Sequence, residues 1–122
     1  MRYACLVYLE QSNLDALPPS EWNALIDQHL AYDAELEKSG HFLAGAPLEP
    51  VSAATLVRVR GGKVSVTDGP FAETKEHLGG FILIEARDLN EAIQVASKIP
   101  VARFGTIEVR PVRELPDMKR EL

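Results

Sequence analysis

A chain of 122 residues fits one domain, because two cores cut from it would each bury too little apolar surface to stand alone. Hydrophobic residues at 46% and charged residues at 25% match ordinary globular usage, which excludes disordered and fibrous classes. A formal net charge of -5 and a pI near 5.2 oppose phosphate backbones and anionic lipid surfaces, so neither direct nucleic-acid contact nor membrane association is expected.

Residues Tyr3 to Leu9 are β-branched, aromatic and aliphatic and are closed by Glu10-Gln11-Ser12-Asn13, the pattern of a mostly buried strand. The apolar run is too short for a secretory core segment and no small-residue cleavage site follows it. Cys5, the single cysteine, cannot form an internal disulfide and reads as a small buried hydrophobe, so a cytoplasmic setting is expected.

Pro18-Pro19-Ser20-Glu21 announces a helix with Ser20 as N-cap and Glu21 at the positive end of its dipole; it should run to about Ser39 and stop at Gly40. His41 to Ala46 reads as a short strand, ended by Pro47 and Pro50. Thr55 to Arg60 and Lys63 to Thr67 flank Gly61-Gly62, a pair suited to a two-residue hairpin turn.

Asp68-Gly69-Pro70 then breaks the chain, and a polar loop through Glu73-Thr74-Lys75-Glu76-His77 leads to Gly79-Gly80. Phe81 to Ala86 is a continuous apolar run, as a central strand requires. Asp88 and Glu91 form a capping-box-like pair ahead of Leu89, Ala92, Ile93, Ala96 and Ile99 at helical spacing, and that helix must stop before Pro100. Thr106 to Arg110 alternates apolar and polar as a half-exposed final strand.

The order β-α-β, inserted hairpin and loop over roughly 51–78, then β-α-β is an α+β, ferredoxin-like split βαβ arrangement within a single domain spanning 1–122. Two helices cover one face of such a sheet. A chain this short has no spare segment for the other face, so a homodimer is expected, burying alternate residues of Tyr3 to Leu9 and Phe81 to Ile84.

The first helix carries the chemical anomaly. Its stripe contains Trp22, Leu25, Ile26, His29, Tyr32, Asp33 and Leu36, which sets an imidazole and a carboxylate one turn apart among apolar residues. Such a pair is costly unless hydrogen-bonded or used, and a carboxylate near an imidazole raises its basicity, as a general base near neutral pH requires. The competing explanation is a satisfied core or interface histidine with Asp33 at the helix edge. Trp22 and Tyr32 suit a pocket wall or plain core.

The loop Asp68 to Glu76, with Phe71 as its aromatic anchor and Glu73 and Lys75 among its charges, is the second candidate, although Asp68 before Gly-Pro also suits an Asx turn. Three scattered histidines, with no H-x-x-x-H or C-x-x-C spacing, give no metal site. Without a P-loop, a G-x-G-x-x-G or a G-x-S-x-G, no cofactor is expected.

The stretches Val66-Thr67-Asp68-Gly69-Pro70-Phe71-Ala72-Glu73-Thr74-Lys75-Glu76, Leu78-Gly79-Gly80-Phe81, Asp88-Leu89-Asn90-Glu91-Ala92-Ile93 and Gly105 to Val112 resemble the YCII-related proteins, in their DGPF-type branch, over nearly the whole chain. The resemblance implies a dimeric α/β barrel with a cleft beside each sheet and a His-Asp pair, with His29 matching the family histidine. The wider family shows an Asp-Pro after the second helix where this chain has Ile99-Pro100, so Asp33 and Asp68 become the candidate partners. The resemblance further implies either a small-molecule acid-base enzyme of isomerase or lyase type, or a ligand-sensing or assembly module linked to sigma-factor signalling.

Overall fold

A computed structural model describes residues 1–122. The first strand, β1 (Arg2–Leu9), alternates as its sequence dictates: Tyr3, Cys5 and Val7 are buried, while Arg2, Ala4, Leu6 and Tyr8 point to the opposite face. A five-residue helix, α1 (Gln11–Asp15), follows it where only a polar stop was expected; Leu14 anchors it to the core.

The long helix α2 (Pro19–Lys38) begins one residue before the expected Ser20 cap. Pro18 is extended and Pro19 takes the first helical position, where its fixed φ is favourable and its missing N–H costs nothing, so no side-chain cap forms. At the other end Gly40 adopts φ +81 and a Schellman pair closes the helix: the Gly40 N–H donates to the Glu37 carbonyl at 3.1 Å, the His41 N–H to that of Leu36 at 2.9 Å.

Strand β2 (Phe42–Pro47) leads through a 3-10 turn at Val51–Ala53 into the hairpin of β3 (Thr55–Arg60) and β4 (Lys63–Asp68). Gly61 and Gly62 have φ +56 and +75, the positive pair that a type I′ turn demands. The hairpin is a separate two-stranded sheet, and Val57, Val59, Val64 and Val66 share one exposed face of it.

Strand β5 (His77–Glu85) starts four residues earlier than the apolar run beginning at Phe81 suggested. The Gly79-Gly80 pair belongs to the strand because neighbours crowd it: a Cβ on Gly79 would lie 2.9 Å from the Leu9 side chain, one on Gly80 3.0 Å from the Ala46 carbonyl oxygen. The register of β1 against β5 slips between Val7 and Tyr8, opposite Gly79.

In α3 (Leu89–Ser97) the Asp88 carboxylate accepts from the Glu91 N–H at 2.9 Å. The Glu91 carboxylate does not return to Asp88 as in a capping box. It accepts from the Arg87 backbone N–H and guanidinium at 3.1 and 2.7 Å and meets His41 Nε2 at 3.1 Å, and these contacts hold its carboxyl below the usual range. A 3-10 turn at Pro100–Phe104 then feeds β6 (Gly105–Pro111).

The four-stranded sheet has the order β2-β5-β1-β6, every pair antiparallel, with α2 and α3 on one face: the ferredoxin-like α+β topology. Tyr3, Cys5, Val7, Ile82 and Ile84 of the sheet pack with Leu25, Tyr32 and Leu36 of α2 and Ala92, Val95 and Ala96 of α3 in one core. The Tyr32 hydroxyl ties the helices by donating to the Val95 carbonyl at 2.6 Å. On the opposite face Ala4, Leu6, Phe81 and Leu83 form a half-buried apolar centre, edged by Tyr8, Thr106, Glu108 and Arg110. No helix is long and apolar enough to cross a membrane.

Candidate functional site

The stripe on α2 divides in two. Leu25, Tyr32 and Leu36 enter the core, whereas Trp22, Ile26, His29 and Asp33, at successive spacings of four, three and four, form one wall of a cleft of about 630 Å³. The facing wall comes from β2, the segment Pro47 to Val51 and the first half of β5. The size suits a small-molecule pocket, and 16 of its 26 lining residues are hydrophobic.

Gly45 keeps this space open. A Cβ there would lie 2.9 Å from the Phe81 carbonyl oxygen and 3.3 Å from the Phe42 ring, so glycine lets β2 approach β5 while leaving the cleft floor bare.

His29 is half-buried, and burial is the main force on it, pulling its pKa below the ordinary 6.5; the Asp33 charge opposes this and Arg103 reinforces it. The Asp33 carboxyl is pushed up, again chiefly by burial, with His29 opposing and Glu37 adding. No hydrogen bond or ion pair joins the two side chains. Burial thus opposes the charged form of both groups inside the cleft, and for His29 that favours the free imidazole, the form that accepts a proton.

His77, absent from the sequence-derived candidates, also lines the cleft. Its Nε2–H donates to the Ala72 carbonyl at 3.2 Å, which orients the ring. The signal for it was missing because it lay in what read as a polar loop, four residues ahead of the visible strand. Gly45 had a faint one: a short strand of small residues, Ala44-Gly45-Ala46.

The remaining candidates lie elsewhere. Tyr32 faces α3 and does not line the cleft; burial pushes its phenol up to about 12. Asp68 ends β4, exposed, and its side chain makes no hydrogen bond. The expected Asx turn is replaced by Gly69 at φ +103, whose N–H donates to the Ala54 carbonyl at 2.8 Å. Phe71 is 80% exposed, with the Arg58 guanidinium 5.9 Å over its ring. Glu73 is exposed, and Lys75 borders a shallow groove with Tyr8, Glu76, Thr106 and Glu108 on the helix-free side of the sheet. The structure thus brings together His29, Asp33 and Trp22 and separates them from Asp68, Phe71, Glu73 and Lys75.

Comparison with known proteins fits this framework. An uncharacterised protein of Rhizobium meliloti (strain 1021) is 37% identical over 114 residues, covering 92% of each chain. Among solved structures, the 5-chloro-2-hydroxyhydroquinone dehydrochlorinase of Burkholderia phenoliruptrix AC1100, in complex with 2,5-dihydroxybenzoquinone, superposes with a TM-score of 0.56 at 16% identity, covering 96% of this chain and 98% of the other. That likeness bears on the fold. The YCII-related domain matches residues 1–116, and with the Rhizobium relative it establishes that the chain belongs to the YCII-related family.

Proposed function

We propose that the cleft between α2 and the β2–β5 side of the sheet binds a small molecule, and that His29 transfers a proton to or from it with Asp33 as its acidic partner. The observation that carries this reading is the placement of both groups, pushed toward neutrality, in the wall of a largely apolar cleft. Isomerisation or elimination of the lyase type is the reaction class, since such steps need acid-base groups and no redox cofactor. The dehydrochlorinase that shares the fold eliminates a leaving group from a ring, which agrees with this class without assigning the substrate.

A second reading is favoured by the missing hydrogen bond between His29 and Asp33: a non-catalytic cleft that senses a ligand, in a signalling or assembly module. Turnover separates the two. A substrate screen on the natural chain and on His29→Ala, with folding followed by circular dichroism, should find activity lost in the folded variant. Retention of all turnover and all ligand affinity in His29→Ala would refute the role given to His29.

The working unit on this proposal is a homodimer in a reducing, cytoplasmic setting. Its support is the apolar centre of the helix-free face, Ala4, Leu6, Phe81 and Leu83, which no segment of the chain covers, together with a lone buried cysteine. Sedimentation equilibrium at micromolar concentration should give twice 13.4 kDa; a stable folded monomer would overturn the assembly.

A further inference from the structure

The charge inventory of the cleft says more than its shape. Its ionisable lining groups are His29, Asp33, Glu49 and His77, with no lysine or arginine among them, although the chain carries 13 such residues. Arg103, whose charge reaches His29, is engaged elsewhere: its guanidinium donates to Gln28 Oε1 at 3.1 Å and to the Pro100 carbonyl at 3.0 Å, and it stacks 5.0 Å over the Phe104 ring.

No side chain of the cleft is therefore a permanent cation. Burial opposes protonation of His29, and the Nε2–H of His77 is engaged by the Ala72 carbonyl. An anion entering here would shed water, find no cation and meet the carboxylates of Asp33 and Glu49, an uncompensated loss on every count. An uncharged ring meets the side chains of Trp22 and Phe42 and the apolar residues around them, and its polar edge meets imidazole nitrogens of His29 and His77 that can form hydrogen bonds.

We propose that the cleft selects uncharged ring compounds bearing hydroxyl or carbonyl groups and rejects their carboxylate, sulfonate and phosphate counterparts. This rests on the cleft being the ligand site. Selection acts through desolvation and like-charge repulsion, so it is a property of binding and holds whether or not turnover follows.

Matched probes test it. Methyl 4-hydroxybenzoate, 4-hydroxybenzamide and 4-hydroxybenzoate share one ring and differ in charge. Isothermal titration at neutral pH gives the affinities, and the emission of Trp22, the only tryptophan in the chain and part of the cleft wall, reports that binding occurs there. The ester and the amide should bind about tenfold or more tightly than the carboxylate. In Asp33→Asn, shown folded by circular dichroism, that gap should narrow several-fold. A carboxylate that binds as tightly as the amide, with the same change in Trp22 emission, overturns the selectivity while leaving the ligand site in place. Failure of all three probes to bind or to alter Trp22 emission overturns the ligand-site reading and the selectivity with it.

Discussion

Tyr32 offers the sharpest separation of core from cleft, because its ring and hydroxyl are both accounted for. Tyr32→Phe keeps the buried ring and opens no cavity, so the perturbation is the loss of one hydrogen bond. That bond is short, 2.6 Å, and buried, and with the phenol pushed up to about 12 the hydroxyl stays protonated at any working pH. A net hydrogen bond contributes about 1 kcal/mol, toward 1.5 when buried. The Val95 carbonyl left behind still accepts from the Lys98 N–H at 3.2 Å, so no buried acceptor is orphaned and the cost should not rise above that range. For 122 residues, at ~2.1 cal/mol/K of unfolding entropy per residue, the loss corresponds to a Tm lower by about 4 to 6 °C. Differential scanning calorimetry measures it, and the probe titrations should return unchanged affinities, because Tyr32 does not line the cleft. An unchanged Tm with weakened binding would refute both the assigned anchor and the boundary drawn around the cleft.

Other expectations rest on separate observations. A carboxyl whose folded pKa lies above its unfolded value near 3.8 binds protons better when folded, so Asp33 withdraws stability as pH rises from that value through its folded pKa; Asp33→Asn should raise Tm at pH 7 and converge with the natural chain in acid, and a lower Tm at pH 7 would contradict this. His29 has the opposite sign: its lowered folded pKa means stability falls as pH drops through 6.5 toward that value, and His29→Gln should flatten this limb of the Tm-against-pH curve. Gly105→Ala would place a Cβ 2.1 Å from the Tyr8 carbonyl oxygen, so β1 or β6 must shift and about 3 kcal/mol should be lost, read as a lower urea midpoint. Asp68→Asn and Asp68→Ala should both stay within about 0.5 kcal/mol of the natural chain, because the exposed side chain has no partner to lose; a marked loss in Ala rescued by Asn would restore the Asx turn.

Local patterns carried the fold. Alternation in Tyr3 to Leu9, the Gly61-Gly62 turn, the stop at Gly40 and the Asp88 cap are decided by residues within a few positions of one another, and each appears where its sequence places it. Elements decided by distant contacts were hidden: β5 extends back through Gly79-Gly80 because Leu9 and the Ala46 carbonyl crowd against them, and turn-forming residues give no sign of such neighbours. The candidate site divides along the same line. Helical spacing alone put Trp22, His29 and Asp33 on one stripe, but that stripe is wide enough to serve two surfaces, and only the packing of α2 against both sheet and α3 sent Tyr32 to Val95 and the others to the cleft. His77 reached the cleft by strand pairing with Leu9, and Asp68 was carried away from it by the hairpin; both outcomes depend on tertiary register, which no local spacing encodes.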